Sequence, residues 1–232
     1  MPSPESLLSS HLATLSSDGQ PFGLLFDCDG TLIDTMPGYH RSWELTLEEL
    51  KLPPLPPARF YSFGGMPVPD IFQLLLDEAG NTQISLSLCE STKRKHHAAL
   101  AEAGTAPAPG IACVIEIAKK YKAMGVPIAV ASSGWRDHVL ENLERNGCAD
   151  LFDAVVTADD PQLKNGKPAP DIFLLAASRL GVLPERCVGF EDAPLGMQSL
   201  TAAGVRYACD VTEFWEYPRR REEREAAERE GA

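Results

Sequence analysis

The sequence predicts an α/β fold: a Rossmann-like parallel sheet with helices on both faces, plus an inserted all-helical cap. Three observations carry this. Short apolar runs at 22–26, 128–131, 154–156, 187–190 and, more weakly, 205–209 read as strands buried on both faces. Amphipathic helical stretches separate the later runs, the alternation that builds a parallel sheet. The stretch 36–106 interrupts that rhythm with helical patterns and no good strand.

Each element follows from local chemistry. Residues 1–21 read as a leader, in which Ser3-Pro4-Glu5 starts a helix with Leu7, Leu8, His11, Leu12 and Leu15 near helical spacing. The core comprises 22–35 and 107–212, the cap 36–106, and a charged tail 213–232. In the cap, Ile71, Leu74 and Leu75 suit a helix, and the Pro-rich segment Leu52–Pro57 is a loop. Ile111, Val114, Ile115, Ala118 and Tyr121 share a helix face that Gly125 and Pro127 end. Trp135, Val139, Leu140 and Leu143 form the next, closed by Asn146-Gly147. Pro170 opens a helix that stops at Gly181, and Pro194 opens one that stops at Gly204.

Composition limits the functions available. The chain has 232 residues, 44% hydrophobic and 23% charged, the balance of a globular protein with a sizeable core. No apolar run reaches the roughly 18–20 residues of a membrane helix. A net charge of −12 gives no broad attraction for nucleic acid or anionic lipid. The six cysteines are scattered without a CxxC pair, which suits reduced thiols rather than zinc or disulfides. No signal or transit pattern opens the chain, so the expected location is cytoplasmic. The expected state is a monomer or weak dimer without nucleic-acid or membrane partners.

In an open parallel sheet, ligands sit beyond the carboxyl ends of the strands. The residues that follow the apolar runs are Asp27, Cys28, Asp29, Gly30 and Thr31, then Ser132 and Ser133, then Glu191 and Asp192. Lys167 stands just before the helix opened by Pro170. The carboxylates of Asp27, Asp29, Glu191 and Asp192 make a hard oxygen set suited to Mg²⁺. Lys167, the Ser132 hydroxyl and backbone N–H groups of the 27–31 turn suit phosphoryl oxygens. An acidic protein can then hold a phosphate, because metal and lysine invert the local charge. The chemistry this set permits is attack of Asp27 on phosphorus to give an aspartyl phosphate, with Asp29 as acid and then base. The cations neutralise the equatorial oxygens.

Read together, these residues resemble the haloacid dehalogenase superfamily. FDCDGTLIDT (Phe26 to Thr35) resembles its first motif, Ser132 in VASSG its second, Lys167 in GKPAPDIF its third and Glu191-Asp192 in GFEDAPLG its fourth. The resemblance implies Asp27 as nucleophile and Asp29 as acid/base, with Ser132 and Lys167 binding phosphate. It implies Asp192 as a magnesium ligand, Glu191 as ligand or neighbour, and the Asp29 backbone carbonyl as a further ligand. Gly30 and Thr31 would shape the turn and Thr35 the hinge. The long stretch from Asp29 to Ser132 leaves room for an insert and the short one from Ser132 to Lys167 does not. That is the family's helical-cap arrangement, in which the cap closes and excludes water.

The segments FDAVVTADD, KPAPDIFLLAASRLGV and EDAPLG are similar to sugar-phosphate members, fructose-1-phosphate and 6-phosphogluconate phosphatases and β-phosphoglucomutase. Where the mutase has His four residues after the first-motif Thr, this chain has Tyr39, followed by His40. Where the mutase cap carries a substrate Arg, the segment Gly64-Gly65-Met66-Pro67-Val68 offers Val68. The expected function is therefore a Mg²⁺-dependent phosphatase of a small sugar or polyol phosphate. A phosphosugar mutase is the alternative, a non-catalytic phosphate-binding regulator a further one, and carbon–halogen or phosphonate cleavage fits less well given Asp29.

Position alone makes Tyr39, His40, Arg41, Gly65 and Met66 candidates for substrate choice. Asp159 and Asp160 could assist the metal or cap a loop, and Arg136 could reach a substrate or lie on the surface. The run Lys93-Arg94-Lys95-His96-His97 could steer anions or form a solvated face. Pro54 to Arg59 fits a PxxPxR ligand or a plain loop.

Overall fold

The computed structural model describes residues 4–17, 19–64, 66–104 and 108–218. The chain divides into two compact units: Met1–Asp34 with Pro109–Ala232, and Thr35–Ala108. Among the described residues the strands are β1 (Gly23–Phe26), β2 (Ile128–Ala131), β3 (Ala154–Val156), β4 (Cys187–Glu191) and β5 (Tyr207–Asp210). The helices are α1 (Pro4–Ser17), α2 (Met36–Glu49), α3 (Pro57–Ser62), α4 (Val68–Glu78), α5 (Leu86–Glu102), α6 (Ala112–Ala123), α7 (Arg136–Arg145), α8 (Asp171–Leu180) and α9 (Pro194–Ala203).

The first unit is built on one sheet in the order β3-β2-β1-β4-β5. Every neighbouring pair is parallel. Strands β1, β2 and β4 are buried along their whole length, which is why they read as unbroken apolar runs. Phe26 pairs in register with Val130 on one side and Phe190 on the other, and its ring stacks on Phe190 at 4.4 Å. These three strands end within one residue of one another, so the residues at their carboxyl ends emerge at one edge. Leu25, Ala129 and Val156 of the sheet share a core with Phe173 and Ala176 of α8 and Leu200 of α9.

Three elements differ in detail from the sequence pattern. The last strand begins at Tyr207 rather than at residue 205. Trp135 is not on the buried face of α7: it precedes the helix in extended backbone and is 68% exposed. The segment read as a leader supplies α1, whose Leu8, Leu12 and Leu15 are buried and whose His11 stacks on Tyr207 of β5 at 4.4 Å. Arg186 donates to the carbonyls of Leu15, Gln20 and Pro21, tying the end of α1 to the start of β4.

The chain leaves and re-enters this unit at one place. The Asp34 amide donates to the Pro109 carbonyl at 2.8 Å, and Ile33 forms an isolated bridge with Gly110. The second unit contains α2 to α5 and, among its described residues, no strand. Its core gathers Trp43, Leu47, Phe60, Phe72, Leu75 and Cys89, with Trp43 against Phe72 at 4.3 Å. The Pro-rich stretch is committed to this packing. Leu55 is buried, and Arg59 pairs with Glu78 and lies over Phe63. The prolines are exposed, but Pro57 to Arg59 lie in α3 rather than in the extended conformation a PxxPxR ligand adopts.

None of the six cysteines is in a disulfide, and only Cys113 is not buried. Among the described residues no helix is long and apolar enough to cross a membrane.

Candidate active site

The turn after β1 is closed by its own backbone. The Cys28 carbonyl accepts from the amides of Thr31, Leu32 and Ile33, and the Gly30 amide donates to Ile33 at 2.7 Å. Gly30 has φ +88°, the left-handed region that glycine tolerates. A side chain there would also collide with the Asp192 carboxylate. Asp192 lies beside the turn and accepts from the Thr31 hydroxyl at 3.1 Å. Thr31 is therefore turned to Asp192 rather than outward.

Lys167 reaches the same place from the loop after β3. Its peptide bond to Pro168 is cis. The Ser199 hydroxyl of α9 holds the loop through the Ala169 carbonyl at 2.6 Å. Lys167 Nζ lies 2.5 Å from Asp27 Oδ1 and 2.7 Å from Glu191 Oε1, and 4.9 Å from the centre of the Phe173 ring. The other Glu191 oxygen accepts from the Ala193 amide at 2.6 Å, ahead of α9. Ser132 follows β2. Its hydroxyl accepts from the Gly134 amide at 2.9 Å and faces Asp29 Oδ2 at 3.4 Å. Ser133 beside it is exposed.

The electrostatics follow from burial. Lys167, Asp27 and Glu191 side chains are at most 7% exposed. Burial pushes the Asp27 and Glu191 carboxyls above the ordinary range, against the pull of Lys167. Burial pulls the Lys167 amine down, but the adjacent Asp27 and Glu191 outweigh it and hold the amine above its usual value. Burial, and then the charges of Glu191 and Asp27, push Asp192 well above the carboxylate range. Asp27, Glu191 and Asp192 can each offer an oxygen with all three atoms within 4.8 Å of one another. One ammonium facing three carboxylates leaves an excess of negative charge. The cluster could bind a metal cation, and its all-oxygen chemistry suits a hard divalent one.

Thus Asp27, Asp29, Gly30, Thr31, Ser132, Lys167, Glu191 and Asp192 come together in the first unit. Other candidates do not join them there. Asp159 accepts from the Arg136 amide and the Thr157 hydroxyl, capping the start of α7. Asp160 pairs with Arg179 at 2.6 Å, and Arg136 donates to the Val155 carbonyl. In the second unit Tyr39 lies 5.0 Å from the His97 ring, His40 Nε2 lies 2.9 Å from the Leu55 carbonyl, and Arg41 pairs with Glu44. Met66 is partly exposed, and Gly65 lies outside the described residues. The basic run is not a free patch. Lys95 and His96 engage Glu49, and Lys93 lies over the Tyr39 and Trp43 rings. Of the charged tail, residues 219–232 lie outside the described residues.

Two contributors had no role assigned from the sequence. Gly196 in α9 faces the Glu191 carboxylate with no space for a side chain. Tyr217 donates its hydroxyl to the Gly30 carbonyl at 2.7 Å. Gly196 closes the segment GFEDAPLG, but no role for it could be read there, and nothing in the sequence hinted at Tyr217.

Comparison with known proteins places the chain in a family. The family model for haloacid dehalogenase-like hydrolases matches residues 24–209, and the chain belongs to that family. Among its relatives, it is 33% identical to the fructose-1-phosphate phosphatase YqaB of Escherichia coli K12 over 189 residues, 82% of this chain and 95% of that protein. It is 32% identical to hexitol phosphatase A of the same organism over 182 residues, 78% of this chain and 79% of that protein. A β-phosphoglucomutase structure from Clostridium difficile shares the fold at TM-score 0.63 and 22% identity, covering 87% of this chain and 88% of that one.

Proposed function

We propose that this chain, a phosphoric monoester hydrolase of the haloacid dehalogenase-like family, removes phosphate from a small sugar or polyol phosphate through an aspartyl-phosphate intermediate, with Mg²⁺ bound. The meeting of Asp27, Asp29, Ser132, Lys167 and Asp192 at one sheet edge carries the reading. The similarity to a fructose-1-phosphate phosphatase and a hexitol phosphatase puts sugar and polyol phosphates first among substrates.

Asp27 is the nucleophile. Lys167 grips its Oδ1 and so fixes the rotation of the carboxylate. As the new P–O bond forms, the bond to the leaving alkoxide breaks. Asp29 gives that alkoxide a proton, then takes one from the water that attacks phosphorus and releases Asp27. Lys167 and the Ser132 hydroxyl face the phosphoryl oxygens, where negative charge concentrates. Asp27, Asp192, Glu191 and the Asp29 carbonyl are the groups that would hold Mg²⁺. The ion would shield an anionic nucleophile from an anionic substrate.

Hydrolysis fits better than phosphate transfer within a sugar. Tyr39 stands where the mutase resemblance calls for His, and the neighbouring His40 is engaged with Leu55. The test is phosphate release from sugar, polyol and nucleotide monophosphates, with Mg²⁺ and with chelator. Release led by fructose 1-phosphate or a hexitol phosphate, silenced by chelator and restored by Mg²⁺, is expected. No release from any of these esters would overturn the activity, and release indifferent to chelator would overturn the metal requirement.

A further inference from the structure

We propose that Tyr217 is a positioning residue for the reaction, its hydroxyl fixing the Asp27–Thr31 turn so that Asp29 is aligned to protonate the leaving group. The inference rests on the reading of Asp29 as general acid. Tyr217 lies beyond residues 24–209, the span the family model matches.

The topology explains how so distant a residue reaches the turn. Strand β5 is the neighbour of β4 and runs parallel to it, with Asp210 in register with Glu191. The chain therefore leaves β5 at the edge where the acidic residues gather. Asp210 Oδ1 accepts from the Thr212 amide and hydroxyl, which bends the chain. Val211 and Phe214 are buried and anchor the bend, and the Tyr217 amide donates to the Phe214 carbonyl at 3.1 Å. The Tyr217 ring is then itself buried, 6% exposed, with its hydroxyl 2.7 Å from the Gly30 oxygen.

Gly30 is the most deformable residue of the turn, and both of its backbone polar groups are held. Its amide donates to Ile33 and its carbonyl accepts from Tyr217. The carbonyl is buried, so it needs a donor. Asp29 precedes this glycine, and Thr31, which holds Asp192, follows it. A phenol on a rigid ring is a donor with little freedom to stray. Without that hydroxyl the turn loses an anchor next to the acid.

The test is Tyr217→Phe, which keeps the ring and removes the donor. It is assayed with fructose 1-phosphate and with para-nitrophenyl phosphate at saturating Mg²⁺, beside Asp29→Asn. An alkoxide needs a proton to leave; nitrophenolate scarcely does. If Tyr217 acts through Asp29, Tyr217→Phe lowers kcat/KM for fructose 1-phosphate by about tenfold, the scale of one buried hydrogen bond. On para-nitrophenyl phosphate it loses less than about twofold. Asp29→Asn shows the same bias, magnified. The ratio between the two substrates does not depend on the fraction of enzyme folded, so a less stable variant still discriminates. Equal losses on both substrates, or no loss, overturn the role of Tyr217 while leaving a biased Asp29→Asn intact. An unbiased Asp29→Asn overturns the acid assignment, and the role of Tyr217 with it.

Discussion

Gly196 faces the Glu191 carboxylate so closely that a methyl group has no place between them. The contact sits at the start of α9, where Glu191 also accepts from the Ala193 amide and binds Lys167. A glycine inside a helix weakens it by about 0.5–1 kcal/mol relative to alanine. Here it leaves room for a buried carboxylate that steadies the lysine.

Gly196→Ala should therefore harm the protein, against the usual gain from replacing a helical glycine. Glu191 or α9 must shift, at a cost of about 1–3 kcal/mol for overpacking. Turnover should fall by about tenfold or more as Lys167 loses its alignment with Asp27. Urea unfolding and phosphate release check both. A variant as stable and active as the parent would show that the contact relaxes freely.

Asp27→Asn should reduce turnover to background while the fold persists. The amide is a poor nucleophile, and Glu191 still faces Lys167. Phosphate release and thermal unfolding measured on the same preparation check this. Near-parental activity would remove Asp27 from the chemistry.

Lys93→Met should stabilise the second unit near neutral pH. Burial lowers the Lys93 amine from its ordinary 10.5 to about 8. The folded chain thus holds this proton less tightly than the unfolded chain. The ammonium opposes folding fully below about pH 8, and the opposition fades as pH rises from there towards 10.5. The substitution should gain on the order of 1–2 kcal/mol at pH 7, since ring contacts at 5.5 and 5.6 Å offset part of the penalty. The gain should shrink towards pH 10. Urea unfolding at both pH values tests the sign; a loss at pH 7 would mean the rings more than repay the burial.

The strands and the residues after them were legible because a sheet covered on both faces turns strands into apolar runs. Polar chemistry can begin only where such a run stops, as at Asp27, Ser132 and Glu191. Trp135 misled because helical spacing does not say where a helix begins, and its extended backbone leaves the indole outside. Leu8, Leu12 and Leu15 gave α1 a buried face, but not what covers it. Tyr217 was illegible for a different reason. Its contact with Gly30 spans 187 positions and exists only because β5 lies beside β4. A pattern read along the chain carries no information about which strands become neighbours.

The clasp between Asp34 and Pro109 gives the sheet a seam at which foreign sequence can be spliced in. Both ends of the excursion are secured by bonds wholly inside the sheet-bearing unit, through Asp34 with Pro109 and Ile33 with Gly110. These closing bonds involve no residue between Thr35 and Ala108. Sequence can thus lengthen, shorten or change between positions 35 and 108 while the links that close the excursion stay the same.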